Sequence, residues 1–344
     1  MGNVDLGKHQ HVGGTGLRDK TDIILGVDLG GTSLRVLAVD RRNQILAVEK
    51  NPTKPDASAS SLIKDIAAFS RKAAESAGVP WQRVLAVCVG APGAVDPERG
   101  IVYKAPNLGW ENVPLGRRLG ALLSIPVFLS NDVNAGTIGE YVLGAGRGTR
   151  DMIGIFVGTG IGGGLVIGGK LHEGCRGAAG EIGHIVVERG GPRCGCGKKG
   201  CVEALASRTA MERDVRRAIR SGAKSVVLKL MKERKRTRMT SSVIARAMGK
   251  GDPVMLQVMK RAQYYLAILV ANLVNTLDPE SIVIGGGIAE RLGEGYVAPI
   301  RATAREFYLR QDGRERIKIL PGSLGDNAGA LGAAVLGWRR LGQT

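Results

Sequence analysis

His184, Cys194, Cys196 and Cys201 bring one imidazole and three thiols into a short glycine-rich stretch, GAAGEIGHIVVERGGPRCGCGKKGCVE, running from Gly177 to Glu203. This donor set suits a closed tetrahedral Zn²⁺ site, and soft sulfur with imidazole selects zinc over a hard cation. Gly195, Gly197 and Gly200 let the backbone fold back far enough for Cys196 and Cys201 to reach one ion. The competing assignment is a disulfide pair or unrelated buried thiols, which the spacing together with a histidine disfavours. Four protein ligands leave no open position for a reactive water. The metal is therefore expected to be structural, and the chemistry to fall to the flanking carboxylates, Glu181 and Glu203.

A second source of chemistry lies upstream. The segment IILGVDLGG, from Ile23, reads as a buried strand entering a glycine turn, and SLRVLAVD as the strand that follows, so Gly30-Gly31-Thr32 is expected to turn a hairpin. Asp28 then sits inside an apolar strand beside that turn. A carboxylate there is costly to bury without a cation or donor, and a hydrated Mg²⁺ on a nucleotide would supply one; the alternative is a strand aspartate facing solvent. The pattern recurs in MIGIFVGTGIGGGLVIGGKL at 152–171. By letter, Gly158-x-Gly160-x-x-Gly163 matches the dinucleotide fingerprint, but LVIGGKL reads as a strand where that fingerprint needs a helix, which excludes it. The exposed amides of such a turn can instead cradle phosphate oxygens. Between the hairpins, Asn131-Asp132 ends the apolar VFL strand, with a helix expected from Ala135. A carboxylate at Asp132 can take the proton of a hydroxyl attacking phosphorus, or it can merely cap the helix; the local sequence supports both equally.

The run Glu181-x-Gly183-His184, then Cys194-x-Cys196-Gly197-x-x-Gly200-Cys201-x-Glu203, resembles the signature of the ROK family of bacterial sugar kinases and related repressors. The paired turns, Asp28-Leu29-Gly30-Gly31-Thr32 and Gly158-Thr159-Gly160-Ile161-Gly162, resemble the two phosphate loops of actin-like ATPases. The resemblance runs from Ile23 to Trp338. It implies an α/β, two-lobed actin-like ATPase (ribonuclease H-like) fold with nucleotide and sugar in the interlobe cleft. It also implies that Asp132 is the catalytic base and that Asn107, Asn131, Asp132, Glu181, His184 and Glu203 bind sugar hydroxyls. Asp28, Gly30, Gly31, Thr32, Gly158, Thr159, Gly160 and Gly162 would meet Mg²⁺ and the donor phosphates, and Gly285, Gly286 and Gly287 the adenine and ribose. The implied cofactors are ATP, Mg²⁺ and structural Zn²⁺. The implied reaction is phosphoryl transfer to the 6-hydroxyl of a hexose, glucose foremost, by a homodimer or homotetramer. Alternatives are another hexose or N-acetylhexosamine as acceptor, or a sugar-sensing ROK regulator.

These residues need a frame. At 344 residues the chain suits two lobes. The expected division is a disordered tail at 1–21, a smaller lobe at 22–134 completed by a C-terminal helix at 326–344, and a larger lobe at 135–325 carrying the zinc loop at 184–201. SLIKDIAAFSRKAAESAG reads as a helix stopped by Gly78, and NLGW at 107–110 as a loop before the helix LGRRLGALL. A long helix stops at Pro279, and SIVIGGG at 281–287 is a further strand into a glycine turn. Alanines and glycines in SLGDNAGALGAAVLGW mark a close-packing helix face. Hydrophobic residues at 44% and charged residues at 23% describe an ordinary globular protein. Cys88 and Cys175, outside the zinc loop, form no disulfide framework, which fits a reducing cytoplasm. Neither a bilayer-spanning apolar run nor a signal-peptide core is present. A net charge of +18 raises nucleic acid as a partner. However, the basic residues are dispersed apart from KERKRTR at 232–238 and lack an aromatic platform, so no specific nucleic-acid binding is expected. That cluster reads as a solvated helix end or loop, and the tail before Ile23 as too short and polar for a helix-turn-helix.

Overall fold

The computed structural model describes residues 22–31, 33–53 and 58–342; the expected tail at 1–21 and Thr32 lie outside them. The first half comprises β1 (Ile23–Leu29), β2 (Ser33–Asp40), β3 (Ile45–Pro52), α1 (Ala59–Ser76) and β4 (Val84–Ala91). Next come β5 (Ala94–Asp96), β6 (Ile101–Ala105), β7 (Trp110–Val113), α2 (Leu115–Leu123), β8 (Val127–Asn131) and α3 (Asp132–Val142). The second half opens with β9 (Met152–Val157), β10 (Ile161–Ile167) and β11 (Lys170–Leu171). It continues through α4 (Glu203–Ala206), α5 (Arg208–Arg220), α6 (Val227–Glu233), α7 (Ser241–Gly249) and α8 (Pro253–Leu277). It closes with β12 (Ser281–Gly285), α9 (Gly287–Leu292), α10 (Glu294–Glu306), β13 (Lys318–Pro321) and α11 (Ala328–Arg340).

Each half builds the same sheet. The first has strand order β3-β2-β1-β4-β8 and the second β11-β10-β9-β12-β13. In both, an antiparallel three-strand meander is extended by two parallel strands. Parallel additions need crossovers, and the intervening helices supply them. Strands β5, β6 and β7 form a separate small sheet. Both central strands are buried on both faces, which is why IILGV and MIGIFV are continuous apolar runs with no alternation. Each half has its own apolar core, one around β1, β4 and α1, the other around β9, β12 and α8.

Local chemistry sets the helix boundaries. Ser58 Oγ accepts from Ser61 N at the start of α1, and Gly78 at φ +69° follows its end. Asp252 caps α8 ahead of Pro253, and Asp278 in the left-handed region closes it before Pro279. Two expectations need adjusting. Helix α3 begins at Asp132, not Ala135, because extended Asn131 is the N-cap and its Oδ1 accepts from Val133 N and Asn134 N. NLGW is a single 3₁₀ turn, Pro106–Leu108, after which Trp110 already starts β7.

Helix α11 returns to the first sheet, where Ala330, Ala334 and Trp338 pack on Ile24, Leu37, Val39 and Ala86. It also crosses α3 at backbone contact. A Cβ on Gly332 would overlap the Ala135 carbonyl, and one on Gly139 would lie 2.5 Å from the Ala328 oxygen. Helix α3 in turn packs on β9 and β10, so it touches both sheets. At its far end the buried Glu140 carboxylate accepts from the Ala145, Ser323 and Leu324 amides, tying α3 to the segment that leads into α11. No helix among the described residues is long and apolar enough to cross a membrane.

Candidate active site

Asp28 lies near the end of β1, and Asp132 follows directly on β8 as the first residue of α3; β1 and β8 both flank β4, so sheet order brings these distant acids together. Burial raises the Asp28 carboxyl to about 6, opposed by the Arg35 charge and reinforced by Asp326. Burial raises Asp132 further, to about 7. The Asp28 charge adds to this, the Val133 amide opposes it, and Glu181 contributes from the side of the His/Cys loop. Two neighbouring acids whose proton affinities rise toward neutrality form a site that can accept a proton or a cation.

Arg35 is the hairpin partner of Asp28 in register. Its guanidinium donates to Asn327 Oδ1 at 2.6 Å and Asp326 Oδ2 at 2.7 Å, fastening the first hairpin to the start of α11. Gly329 faces the Asp28 carboxyl so closely that a Cβ would come within 2.9 Å of Cγ. Gly30 N donates to Ser33 O across the turn, and Gly31 lies against Asn107, which is itself exposed. Besides capping α3, Asn131 donates through Nδ2 to the Gly93 carbonyl at 3.0 Å. Most of its hydrogen-bonding capacity is thus engaged within the protein.

The second hairpin turns at Gly158–Gly160, where Gly158 N donates to Gly160 O. The His/Cys loop lies directly on it. A Cβ on Gly183 would overlap the Ile161 carbonyl, which accounts physically for the glycine of Glu181-x-Gly183-His184. His184 Nε2 lies 3.9 Å from Glu181 Oε2, and His184 Nδ1 lies 3.6 Å from Cys194 Sγ. Glu203 accepts from Ile161 N at 3.0 Å and from Cys194 Sγ at 3.5 Å, bridging the loop to the hairpin. Gly286, at φ +93°, lies close against the Val157 carbonyl, and Gly285 against Phe156, so the third glycine turn packs on the end of β9.

The four candidate metal ligands pass a geometric test. The ligand atoms of His184, Cys194, Cys196 and Cys201 all lie within 4.8 Å of one another, and Cys196 and Cys201 Sγ are 3.7 Å apart. Tetrahedral Zn–S bonds of about 2.3 Å require S···S separations of roughly 3.8 Å, so the cluster is close to bonding geometry. Burial pushes the Cys194 thiol up to about 12, a cost that a divalent cation offsets.

Two features escape a reading of the sequence. Arg35 is legible in principle, since counting back from the Gly30-Gly31 turn pairs it with Asp28. Arg208 has no such signal. It donates to Thr159 Oγ1 at 2.6 Å, while Thr209 Oγ1 donates to the Thr159 carbonyl, so the start of α5 pins the second turn. The segment at 232–238 is also more than a solvated end. Arg238 pairs with Glu212 at 3.0 Å, and Arg234 and Arg236 line a chamber with Arg208.

Duplicated hairpin-led sheets, with acids and glycine turns converging between them, define the two-lobed actin-like ATPase fold. Within it, the chain belongs to the ROK family, whose sequence profile matches residues 24–340. It is 36% identical to a glucokinase of Thermotoga maritima, over 93% of this chain and 98% of the relative. It is also 28% identical to the xylose repressor of Bacillus subtilis, over 91% of this chain and 76% of the repressor. The structure is similar to that of a ROK family glucokinase from Streptomyces griseus in complex with glucose and AMPPNP. That likeness has a TM-score of 0.81 and 35% identity, covering 91% of this chain and 98% of that one.

Proposed function

We propose that the protein is an ATP-dependent hexokinase, specifically a glucokinase, that phosphorylates the 6-hydroxyl of glucose. The observation that carries this reading is the recessed pair Asp28 and Asp132 between two glycine hairpins, beside a His/Cys loop that bears a second pair of acids. Glucokinases 34% and 36% identical over nine-tenths of the chain support glucose as the acceptor.

In this mechanism Asp132 accepts the 6-hydroxyl proton as the sugar oxygen attacks the γ-phosphorus. The bond from γ-phosphorus to the β–γ bridging oxygen breaks, and ADP leaves with the electron pair. A base with proton affinity near 7 is matched to neutral operation, being free at that pH yet strong enough to accept. Asp28 would hold Mg²⁺ through its water shell, and the cation would neutralise developing phosphate charge. The turns at Gly30–Gly31 and Gly158–Gly160 would present the amides of Gly31, Thr159 and Gly160 to phosphate oxygens, with Gly30, Gly158 and Gly162 holding the turns in shape through their own backbone pairings, while Gly285, Gly286 and Gly287 leave room for adenine and ribose.

Asn107, Asn131, Glu181 and His184 fence the sugar hydroxyls, so a sugar lacking a hydroxyl leaves a partner that the bound sugar has desolvated unpaired. Glu203 joins them through the zinc loop. Once Cys194 is a metal-bound thiolate it no longer donates, and Glu203 Oε1 becomes available to a hydroxyl. Zn²⁺ held by His184, Cys194, Cys196 and Cys201 would be structural, fixing His184 and Glu203 beside the second hairpin. A coupled assay across a hexose panel with ATP tests the reading. Glucose should give the highest kcat/KM, and absence of phosphoryl transfer to any hexose by folded, zinc-loaded protein refutes it.

A further inference from the structure

The ring of Phe156, near the end of β9, is enclosed by three glycines. A Cβ on Gly285, the last residue of β12, would come 2.7 Å from Cε1 and 2.8 Å from Cδ1, and one on Gly136 in α3 would come 2.9 Å from Cζ and 3.1 Å from Cε1. On the opposite edge a Cβ on Gly154 would lie 3.2 Å from Cε2. Carbon atoms pack at about 3.5 to 4.0 Å, so neither Gly136 nor Gly285 can carry a side chain while the ring keeps its place. Glycine inside a helix is destabilising relative to alanine. Gly139 is accounted for by the crossing of α3 with α11, and Gly136 by this ring, whose Cζ, Cε1 and Cε2 are its three nearest neighbours. Gly136 stands one turn after Asp132 on the same helical face. Helical side chains lean toward the N-terminus, so a ring in the place of a side chain at 136 backs the turn that carries Asp132. That turn meets the second hairpin again at Val133, against Gly162, and Gly162 and Gly285 are the register partners of Phe156 on its two sides.

We propose that Phe156 is a positioning residue for phosphoryl transfer, a rigid spacer whose ring sets the separation between the glycine turn at 285–287 and the turn of α3 that carries Asp132. It touches neither substrate nor the transferred group, and acts through the two backbones it holds apart. Packed interiors are nearly incompressible, so a displacement at either glycine is passed to the other. A planar ring met on both edges and at its tip cannot take up slack by changing rotamer, whereas an aliphatic side chain of similar volume can bend. The proposal rests on the kinase reading above, which supplies the donor on one side of the ring and the base on the other. Transfer between positioned groups tolerates little error, a misplacement of about 1 Å being enough to cost about 10² in rate.

Steady-state kinetics with glucose and ATP, beside calorimetry of glucose and of a non-hydrolysable ATP analogue, tests it on Phe156→Leu, Phe156→Tyr and Phe156→Met. Leucine shortens the spacer, and tyrosine lengthens it at Cζ, where Gly136 is nearest. Both should lower kcat about tenfold to a hundredfold, while KM for each substrate and both binding constants stay within about threefold of wild type. Methionine keeps the volume without the rigidity, so it should melt near wild type and still lose about tenfold in kcat. Gly136→Ala should act like the tyrosine variant in the wild-type background. In the Phe156→Leu background it should instead restore kcat at least about threefold, because the methyl fills space that the ring has left. Should the leucine variant melt early, the tyrosine and methionine variants carry the test. Lower melting with kcat per folded protein unchanged, wild-type kcat in the tyrosine variant, or no recovery in the double variant overturns the proposal. An active wild type whose kcat ignores position 156 overturns this inference alone, whereas a wild type that phosphorylates no hexose overturns the kinase reading and this inference with it.

Discussion

Replacing Asp132 by asparagine should make the protein more stable and nearly inactive. Folding raises the Asp132 carboxyl from 3.8 to about 7, chiefly through burial and secondly through the Asp28 charge. Between those values the native state holds a proton that the unfolded chain has released, so stability falls as pH rises and the whole cost is present above pH 7. At about 1.4 kcal/mol per pH unit the cost is on the order of 4 kcal/mol. The substituted amide has the same shape as the carboxylate and carries no charge to desolvate. The variant should therefore melt roughly 5 °C above wild type at pH 8, with the gap closing as pH falls toward 4. Turnover with glucose and ATP should drop by about 10² to 10⁴, the usual worth of a general base. Scanning fluorimetry across pH beside a coupled kinase assay measures both. Unchanged melting at pH 8 would show that the carboxylate is not held at a cost, and retained turnover would move the proton to Glu181 or Glu203.

The same carboxyl predicts that kcat/KM for sugar falls about tenfold per pH unit below an inflection near 7, since the free enzyme must lose that proton; a profile flat to pH 5 contradicts it. Metal analysis should find one zinc per chain, and Cys196→Ser should lose both the metal and thermal stability; full zinc loss with unchanged sugar affinity would mean the loop does not shape the pocket. Arg35→Ala removes the cation beside Asp28 and the fastening to Asp326 and Asn327, so KM for Mg–ATP should rise several-fold while sugar binding by calorimetry stays near wild type. Gly332→Ala forces a methyl onto the Ala135 carbonyl and should cost about 2 kcal/mol or more, read as a lower denaturant midpoint.

Much of this is legible in the sequence because it depends on local pattern. Both hairpins follow from apolar runs broken by glycine, and the convergence of His184 with the three cysteines follows from residue type and spacing. The sequence places α3 three residues late because its first turn, Asp132-Val133-Asn134, contains poor helix formers that only the Asn131 cap stabilises. The duplicated strand order is not a local property, since the parallel partners of β1 and β9 come from distant segments. The run at 232–238 reads as a solvated helix end because Arg208, which lines a chamber with Arg234 and Arg236, is distant along the chain and meets them only through the packing of α5, α6 and α7. Glu203 and Asn131 carry internal bonds that residue type alone cannot reveal.

The backbone contact between α3 and α11 bears on how the protein would respond to random mutation. Helix α3 holds Asp132 at one end, is clamped through Glu140 at the other, and is about 16 Å long. Because Gly139 and Gly332 leave no side chain between the helices, an added methyl there cannot be absorbed by a rotamer change and must push the rod itself. A genetic selection for lost sugar phosphorylation would accordingly return substitutions along α11 as readily as in the cleft. Such a map would outline a false second active site, and revertants would arise as shrinking substitutions on the opposite helix, not as new contacts to substrate.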